Sequence, residues 1–338
     1  MLLFHTYFII IKQAPMKASI TLCFVLAGVV VCSAWRAPVV ANTHLSLFHH
    51  AFGMPTILTS TLTDTLSDTD SLLNSQKLNQ LTPKRTPIGS APEFMLATDS
   101  TIVTPTQTLL VTTHFFLFLA NLALAIAHVP CWTVASAIWT LFSFVLSVFI
   151  GDFATGVFHW SVDNYGSINT PIVGSICAAF QGHHNTPWTI TFRPFANNVY
   201  KIAKSTIPAY LLCIGMGMVG GMGMGMGVYV HMFFTFFINW WLISQELHKY
   251  AHMKKPPVWI HYLQSLGIIL TRKEHGMHHV SPYDKHYCIL TGTCNSLLDR
   301  VDFFRYLEKM VFRVTGKKPL SWGDIHVEQR ALGKHIGL

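Results

Sequence analysis

The sequence predicts an all-α integral membrane protein, with four transmembrane helices in two hairpins and a histidine-rich helical cap on one side. Three observations carry this expectation. The 338 residues are 51% hydrophobic and 11% charged, against roughly 25% charged in an ordinary soluble domain. Two blocks hold no Asp, Glu, Lys or Arg: Ser100 to Gly151, 52 residues, and Ser205 to Gln245, 41 residues. Finally, many of the 19 histidines gather just outside those blocks.

In chain order, residues 1–34 read as a signal peptide. The stretch MKASITLCFVLAGVVVCSA at 16–34 has Lys17, an apolar run and a small-residue end at Cys32-Ser33-Ala34, which is the layout of a secretory leader. The run is short for a membrane span. Met16 stands ahead of it as the expected true start. Residues 35–63 contain no acid and many Ser, Thr and Asn, as in a transit peptide. A leader followed by an aromatic residue, here Trp35, and a transit-like stretch resembles the bipartite presequence of complex algal plastids, where the join is usually Ala-Phe. Plain entry into the endoplasmic reticulum (ER) is the other reading. Residues 64–95 are polar, with Asp64, Asp68 and Asp70, so 35–95 is expected to be a transit-like segment and a disordered linker.

A span needs about 20 apolar residues, so each uncharged block accommodates a hairpin. Spans are expected near 107–127 and 132–150, with Pro130 breaking the turn, and near 206–225 and 228–246. The second block carries GMGMVGGMGMGMG at 215–227. Its formal G-x-G-x-x-G lacks a preceding strand, so a dinucleotide site is rejected. A low-complexity string that lipid tolerates, or a small-residue packing face, remains. Lys77, Lys84 and Arg85, then Arg193, Lys201 and Lys204, then Lys249, Lys254, Lys255, Arg272 and Lys273 flank the blocks, and the inter-span turns carry no cation. By the positive-inside rule these flanks share one side.

The histidines outside the blocks then share that side as well. They are His159 in GVFHW, His183 and His184 in QGHH, His248 and His252 in HKYAH, and His275, His278 and His279 in HGMHH. Spacings of three and four residues put side chains on one helix face, and neutral imidazole is the commonest protein metal ligand. One such group is ordinarily a packed or surface cluster. Four of them flanking membrane hairpins are the pattern of a membrane di-iron oxidase, eight nitrogens serving two irons. Acids are scarce, so histidine does most of the ligation. Ligand imidazoles usually donate their second N–H to a carboxylate or carbonyl. Asp152, Asp163, Glu246 and Glu274 are expected in that outer shell, Asp163 also as a direct ligand. Trp160 and Trp188 are expected in the wall of a substrate site, and Arg193, Lys254 and Lys255 at an anionic headgroup or as topology signals. The stretch MFFTFFINWW at 232–241 lines an acyl channel or faces lipid. His114, His128 and His231 read as packed histidines.

Other classes fit less well. Metal transport needs ionisable ligands inside the spans, and here they lie outside. There is no G-x-S-x-G for a hydrolase, no CxxC among the seven cysteines for a disulfide framework or zinc site, and no basic motif for nucleic acid.

The stretches GVFHWSVDNYG (156–166), TPIVG (170–174), AFQGHHNTPWTITFRPFANN (179–198), HKYAH (248–252), LQSLGIILTRKEHGMHHVSPYDKHYCILTG (263–292) and TGKKP (315–319) resemble the lipid desaturases. That family includes plasmanylethanolamine desaturase and the plastid palmitoyl-phosphatidylglycerol trans-3 desaturase of the fatty acid desaturase 4 type. The QGHH and FANN strings favour the plastid branch, whereas HHVSP also fits the plasmanyl branch. Phe192-Arg193-Pro194 departs from the basic or polar residues usual in the plastid branch. The resemblance covers about 151–322, so a desaturase domain is expected over 96–322 and a C-terminal tail over 323–338.

The resemblance implies a two-iron centre on the eight histidines and O₂-dependent insertion of a double bond into a lipid acyl chain. For the plastid branch the substrate is palmitate on phosphatidylglycerol, giving trans-3-hexadecenoate. A plasmalogen vinyl ether, or hydroxylation on the same scaffold, are the alternatives. Electrons come from a separate protein, ferredoxin in a plastid (thylakoid or envelope) or cytochrome b5 in the ER membrane.

Overall fold

A computed structural model of the chain describes residues 99–219, 226–323 and 325–332. The expected signal peptide, transit-like segment and linker, residues 220–225 of the glycine–methionine string, and the tail beyond 332 lie outside the described residues. Everything described is helix or irregular chain, with no strand among the described residues.

Helix α1, Pro105–Ala127, starts at a capping box. Thr104 Oγ1 accepts from the Gln107 N–H, and Gln107 Oε1 accepts from the Thr104 N–H, with Pro105 supplying a first helical residue that has no N–H to satisfy. Helix α2, Val134–Asn164, starts the same way on Thr133 and Ser136. The sequence places its end near residue 150, but nothing between 150 and 164 breaks it, and it runs 31 residues. At 1.5 Å per residue that is about 46 Å, about 16 Å more than the hydrocarbon core. His159 and Asp163 therefore ride on the rigid continuation of a helix long and apolar enough to cross a membrane.

Helix α3, Gly174–His183, and a 3-10 turn, Pro187–Phe192, lead into α4, Phe195–Val219. Helix α5 is Gly227–His252. Three helices, α1, α2 and α5, are long and apolar enough to cross a membrane. Helix α4 packs Val199 and Ala203 on Val111, and Tyr210 on Leu117, so α1 and α4 run parallel. Leu242 meets Val111, and Met232 meets Ala125, so α5 runs against both. Trp240 Nε1 donates to Ser147 Oγ at 3.0 Å and Thr140 meets Met232, which sets α2 parallel to α5. The C-terminal ends of α2 and α5 thus emerge beside the N-terminal ends of α1 and α4.

Several polar residues between these helices bond one another or the backbone. Buried His114 lies 2.7 Å from Thr206 Oγ1, and Asn121 donates to the carbonyls of Leu117 and Tyr210. His128 Nδ1 bonds the Leu124 carbonyl at 2.8 Å, and His231 is buried. His114 and His231 are thus packed, while His128 is exposed and bonded to backbone.

Beyond α5 come short helices: α6 Val258–Ser265, α7 Arg272–His278, α8 Asn295–Arg300 and α9 Phe303–Thr315. Part of the expected tail is a tenth helix, α10 Ile325–Ala331, packed through Val327 and Ala331 on Trp322. Buried Glu308 collects Trp322 Nε1 at 2.7 Å and Ser321 Oγ at 3.1 Å. An extended segment, 285–291, crosses α2. There a Cβ on Gly156 would sit 2.5 Å from Cys288 Sγ and 3.3 Å from its backbone nitrogen. Gly156→Ala is therefore expected to destabilise by about 1–3 kcal/mol through overpacking, although Gly→Ala within a helix normally gains about 0.5–1 kcal/mol. The thermal midpoint of the purified protein should fall, and adding Cys288→Ala should recover part of it. A midpoint that rises in Gly156→Ala would show that the contact relaxes.

Candidate metal centre

Four elements deliver histidines to one place. Helix α2 carries His159, and α3 ends on His183 with His184 as its cap. The last turns of α5 carry His248 and His252, and α7 carries His275 and His278 with His279 as its cap. Helix α7 is only seven residues long, and its start is fixed by Thr271, whose hydroxyl accepts from the Glu274 N–H at 3.1 Å.

The side chains fall into two adjoining groups. His183, His248, His252, His275 and His279 form the first, and His159, Asp163, His184 and His278 the second, the ligand atoms of each lying within 4.8 Å of one another. In the first group the Nε2 atoms converge: His252 to His183 and to His275 are both 2.8 Å, His275 to His279 is 3.1 Å, and His252 to His248 is 3.2 Å. Burial, followed by the neighbouring imidazoles, holds His183 and His275 well below the ordinary histidine range, and His279 is lowered for the same reasons. They are neutral at physiological pH, the form that ligates.

The second group shows directly why a cation fits. His159 Nδ1 lies 3.0 Å from the Tyr287 carbonyl, and His278 Nδ1 2.8 Å from the Lys285 carbonyl. A carbonyl only accepts, so both Nδ1 atoms carry the proton, and a ring protonated there alone has its lone pair at Nε2. Those lone pairs face Asp163 Oδ2 at 3.2 and 3.3 Å, with His184 Nε2 at 3.4 Å. Both Asp163 oxygens and His159 Nε2 are buried without a hydrogen bond. Acceptors aimed at acceptors inside a protein are costly unless a positive charge sits between them. Three imidazoles and a carboxylate are the donor set of a divalent transition metal.

The structure brings all eight expected histidines and Asp163 together. It gives the other three carboxylates different partners from those expected. Asp152 accepts from the N–H groups of Thr291, Gly292 and Cys294 at 2.7, 2.9 and 2.9 Å. Glu246 pairs with Lys249 and accepts from Asn198 Nδ2, and Glu274 lies 3.0 Å from His286 Nδ1. Carbonyls of the 285–291 segment take the orienting role instead. Sequence reasoning missed them because a carbonyl has no residue signature; the only signal was the DKHYCILTG string.

A cavity of about 410 Å³ opens beside the first group, lined at its buried end by His183, His248, Phe158, Phe180, Trp241 and Ile289. Among the expected substrate residues, Arg193 lines it. Trp160 is instead buried against Tyr165 and Phe304, while Trp188 and the exposed Lys254 and Lys255 lie outside its lining. Of the 232–241 stretch, Trp241 reaches it, while Phe234 is exposed.

Residues 148–322, just over half the chain, match the lipid desaturase domain. "Fatty acid desaturase 4-like 1, chloroplastic" of Arabidopsis thaliana is 40% identical over 176 residues, 51% of this chain and 57% of the relative. "Fatty acid desaturase 4, chloroplastic" of the same plant is 38% identical over 52% of each chain. Plasmanylethanolamine desaturase of Myxococcus xanthus is 30% identical over 59% of this chain and 70% of its own. The chain spans about half the length of the two plastid relatives. No solved structure matches it. The matched segment contains every residue of both metal-ligand groups, and on that footing the chain belongs to the lipid desaturase family.

Proposed function

We propose that the protein is an O₂-dependent di-iron desaturase of a membrane lipid, acting on palmitate of phosphatidylglycerol to give trans-3-hexadecenoate. The observation that carries this is the cavity: an apolar pocket whose buried end is walled by two histidines of the first metal group. Iron supplies, when bound, the reduction of O₂ coupled to loss of one hydrogen from each of two neighbouring carbons. Two further electrons and two protons balance the two waters formed, and ferredoxin is the donor in a plastid.

The chain's own residues do the rest. His159 and His278 are held in one tautomer by backbone carbonyls, so their Nε2 atoms stay fixed as ligands. Phe158, Phe180, Trp241 and Ile289 exclude water and direct a methylene chain toward His183 and His248. In this reading α4 makes a fourth span, the desaturase domain covers 96–322, and the membrane is that of a plastid. The plastid relatives and the transit-like 35–63 segment support that location. The Myxococcus relative, matched over 70% of its length, favours a second reading, formation of a plasmalogen vinyl ether, with cytochrome b5 as donor in an ER membrane.

Lipid analysis separates them. The full chain expressed in a plastid that lacks its own enzyme of this kind should yield trans-hexadecenoate on phosphatidylglycerol, and a His278→Ala chain none. Vinyl ethers in its place would move the protein to the second reading, and a hydroxylated chain would overturn the reaction type.

A further inference from the structure

The cavity that ends on His183 and His248 has an exposed end of opposite character. Exposed Lys201 and Ser205 line it, with buried Asn197 behind them, spaced by four residues and so on one face of α4. Arg193 and Asp99 complete the rim. We propose that this end is a site for the phosphodiester headgroup of the lipid substrate, held by Lys201 and Arg193, with Asp99 occupying the guanidinium until the headgroup displaces it. The proposal rests on the reading of the cavity as the acyl site.

Three features support it. First, Arg193 meets Asp99 through both terminal nitrogens, Nη1 to Oδ1 at 3.1 Å and Nη2 to Oδ2. That two-pronged grip suits the two free oxygens of a phosphodiester equally well. Second, Arg193 keeps its place without Asp99, because Nη1 also donates to Asn197 Oδ1 at 2.9 Å and Lys249 Nζ donates to the Arg193 carbonyl at 3.2 Å. Lys201 is exposed and has no acidic partner among the described residues. An anion seated at the guanidinium thus meets the Lys201 ammonium as a second cation on the same lining.

Third, the polar rim lies close to the histidines. Asn198 Nδ2 donates to the Gln245 carbonyl at 3.1 Å and to Glu246 at 2.9 Å. Gln245 stands less than one helical turn before His248, so the rim and the metal ligands are within about 5–10 Å along the helix. A headgroup seated there puts the first carbons after the ester, not the middle of the chain, against the histidines. The rim thus selects the headgroup and the position of attack together.

Retention of lipid by the purified full chain tests this without turnover. The protein is exchanged through nanodiscs of equal dioleoyl-phosphatidylglycerol and dioleoyl-phosphatidylcholine, extracted, and its bound lipid counted by native mass spectrometry. The wild type should hold phosphatidylglycerol over phosphatidylcholine. Lys201→Gln, at an exposed position that does not threaten the fold, should lower that preference by about tenfold, the worth of one charge-assisted contact. Asp99→Asn, which weakens the competitor, should raise it several-fold. Iron content reports that each variant is folded. Equal retention of both lipids, or no change in Lys201→Gln, overturns the headgroup site. So does release of phosphatidylglycerol by inorganic phosphate, which would mark a site for the free ion. Equal retention with trans-hexadecenoate still formed would sink the site alone and leave the enzyme reading standing. Selective retention with no product in any host would sink the enzyme reading and leave the site standing.

Discussion

Asp163→Asn is expected to leave the protein with one tightly held metal ion where two are expected in the wild type. The carboxylate is the only anionic donor in either group, and its Oδ2 lies within 3.4 Å of three imidazole nitrogens. Asparagine keeps the volume and removes the charge that offsets the cation in a buried place. Loss of an outer partner alone costs about 10–100-fold in metal affinity, and loss of a ligand should exceed that. Metal content of the purified chain, measured before and after dialysis against a mild chelator, reads the result. His275→Ala should instead empty the five-histidine group and spare the other. Activity should vanish in both variants, so metal content is the informative quantity. Two ions retained in Asp163→Asn would reduce Asp163 to a spectator and make the second group a three-histidine site.

The second large effect is expected at Asp152→Ala, which lies on α2 about two helical turns, or about 10 Å, before His159. Its two oxygens satisfy three N–H groups at 291, 292 and 294, and the residue is fully buried. Hydrogen bonds to a charged group contribute about 1.5–3 kcal/mol each, so truncation should cost about 4 kcal/mol or more, since three buried donors lose their acceptor. The damage should spread. The clamped loop continues the segment whose Tyr287 and Lys285 carbonyls fix His159 and His278. Asp152→Ala should therefore lose metal from the Asp163 group first, although Asp152 touches no ligand. Asp152→Asn, which keeps Oδ1 for Thr291 and Gly292, should fall between. A variant that unfolds early but binds metal normally when folded would separate the clamp from the cage.

Much of this was legible in the residues. The two uncharged blocks fixed where apolar helices lie, and the flanking cations fixed which ends share a side. From that the meeting of His159, His183, His184, His248, His252, His275, His278 and His279 followed before any coordinates, because histidines on one side of the membrane are free to converge. Asp163 was legible as a ligand candidate by its spacing of four from His159. The partners of Asp152, Glu246 and Glu274 were not legible, because a carboxylate near a histidine in sequence is satisfied by whatever donor the fold brings nearest. For Asp152 that was a loop about 140 residues later, a pairing no local pattern encodes. The length of α2 was underestimated for a related reason. Composition marks where lipid ends, but a helix ends only where capping or steric signals stop it, and the first such stop is at Asn164 and Tyr165.

Helix α7 has a further meaning when the chain is viewed in time rather than in space. As synthesis proceeds from the N-terminus, His159, Asp163, His183, His184, His248 and His252 all emerge first. They give each group three donors and complete neither. His275 and His279 then finish one group and His278 the other, so seven residues and their cap close both at nearly the same moment. Both groups are thus completed late, after all three helices long and apolar enough to cross a membrane have been made. Any truncation before residue 278 leaves neither group finished.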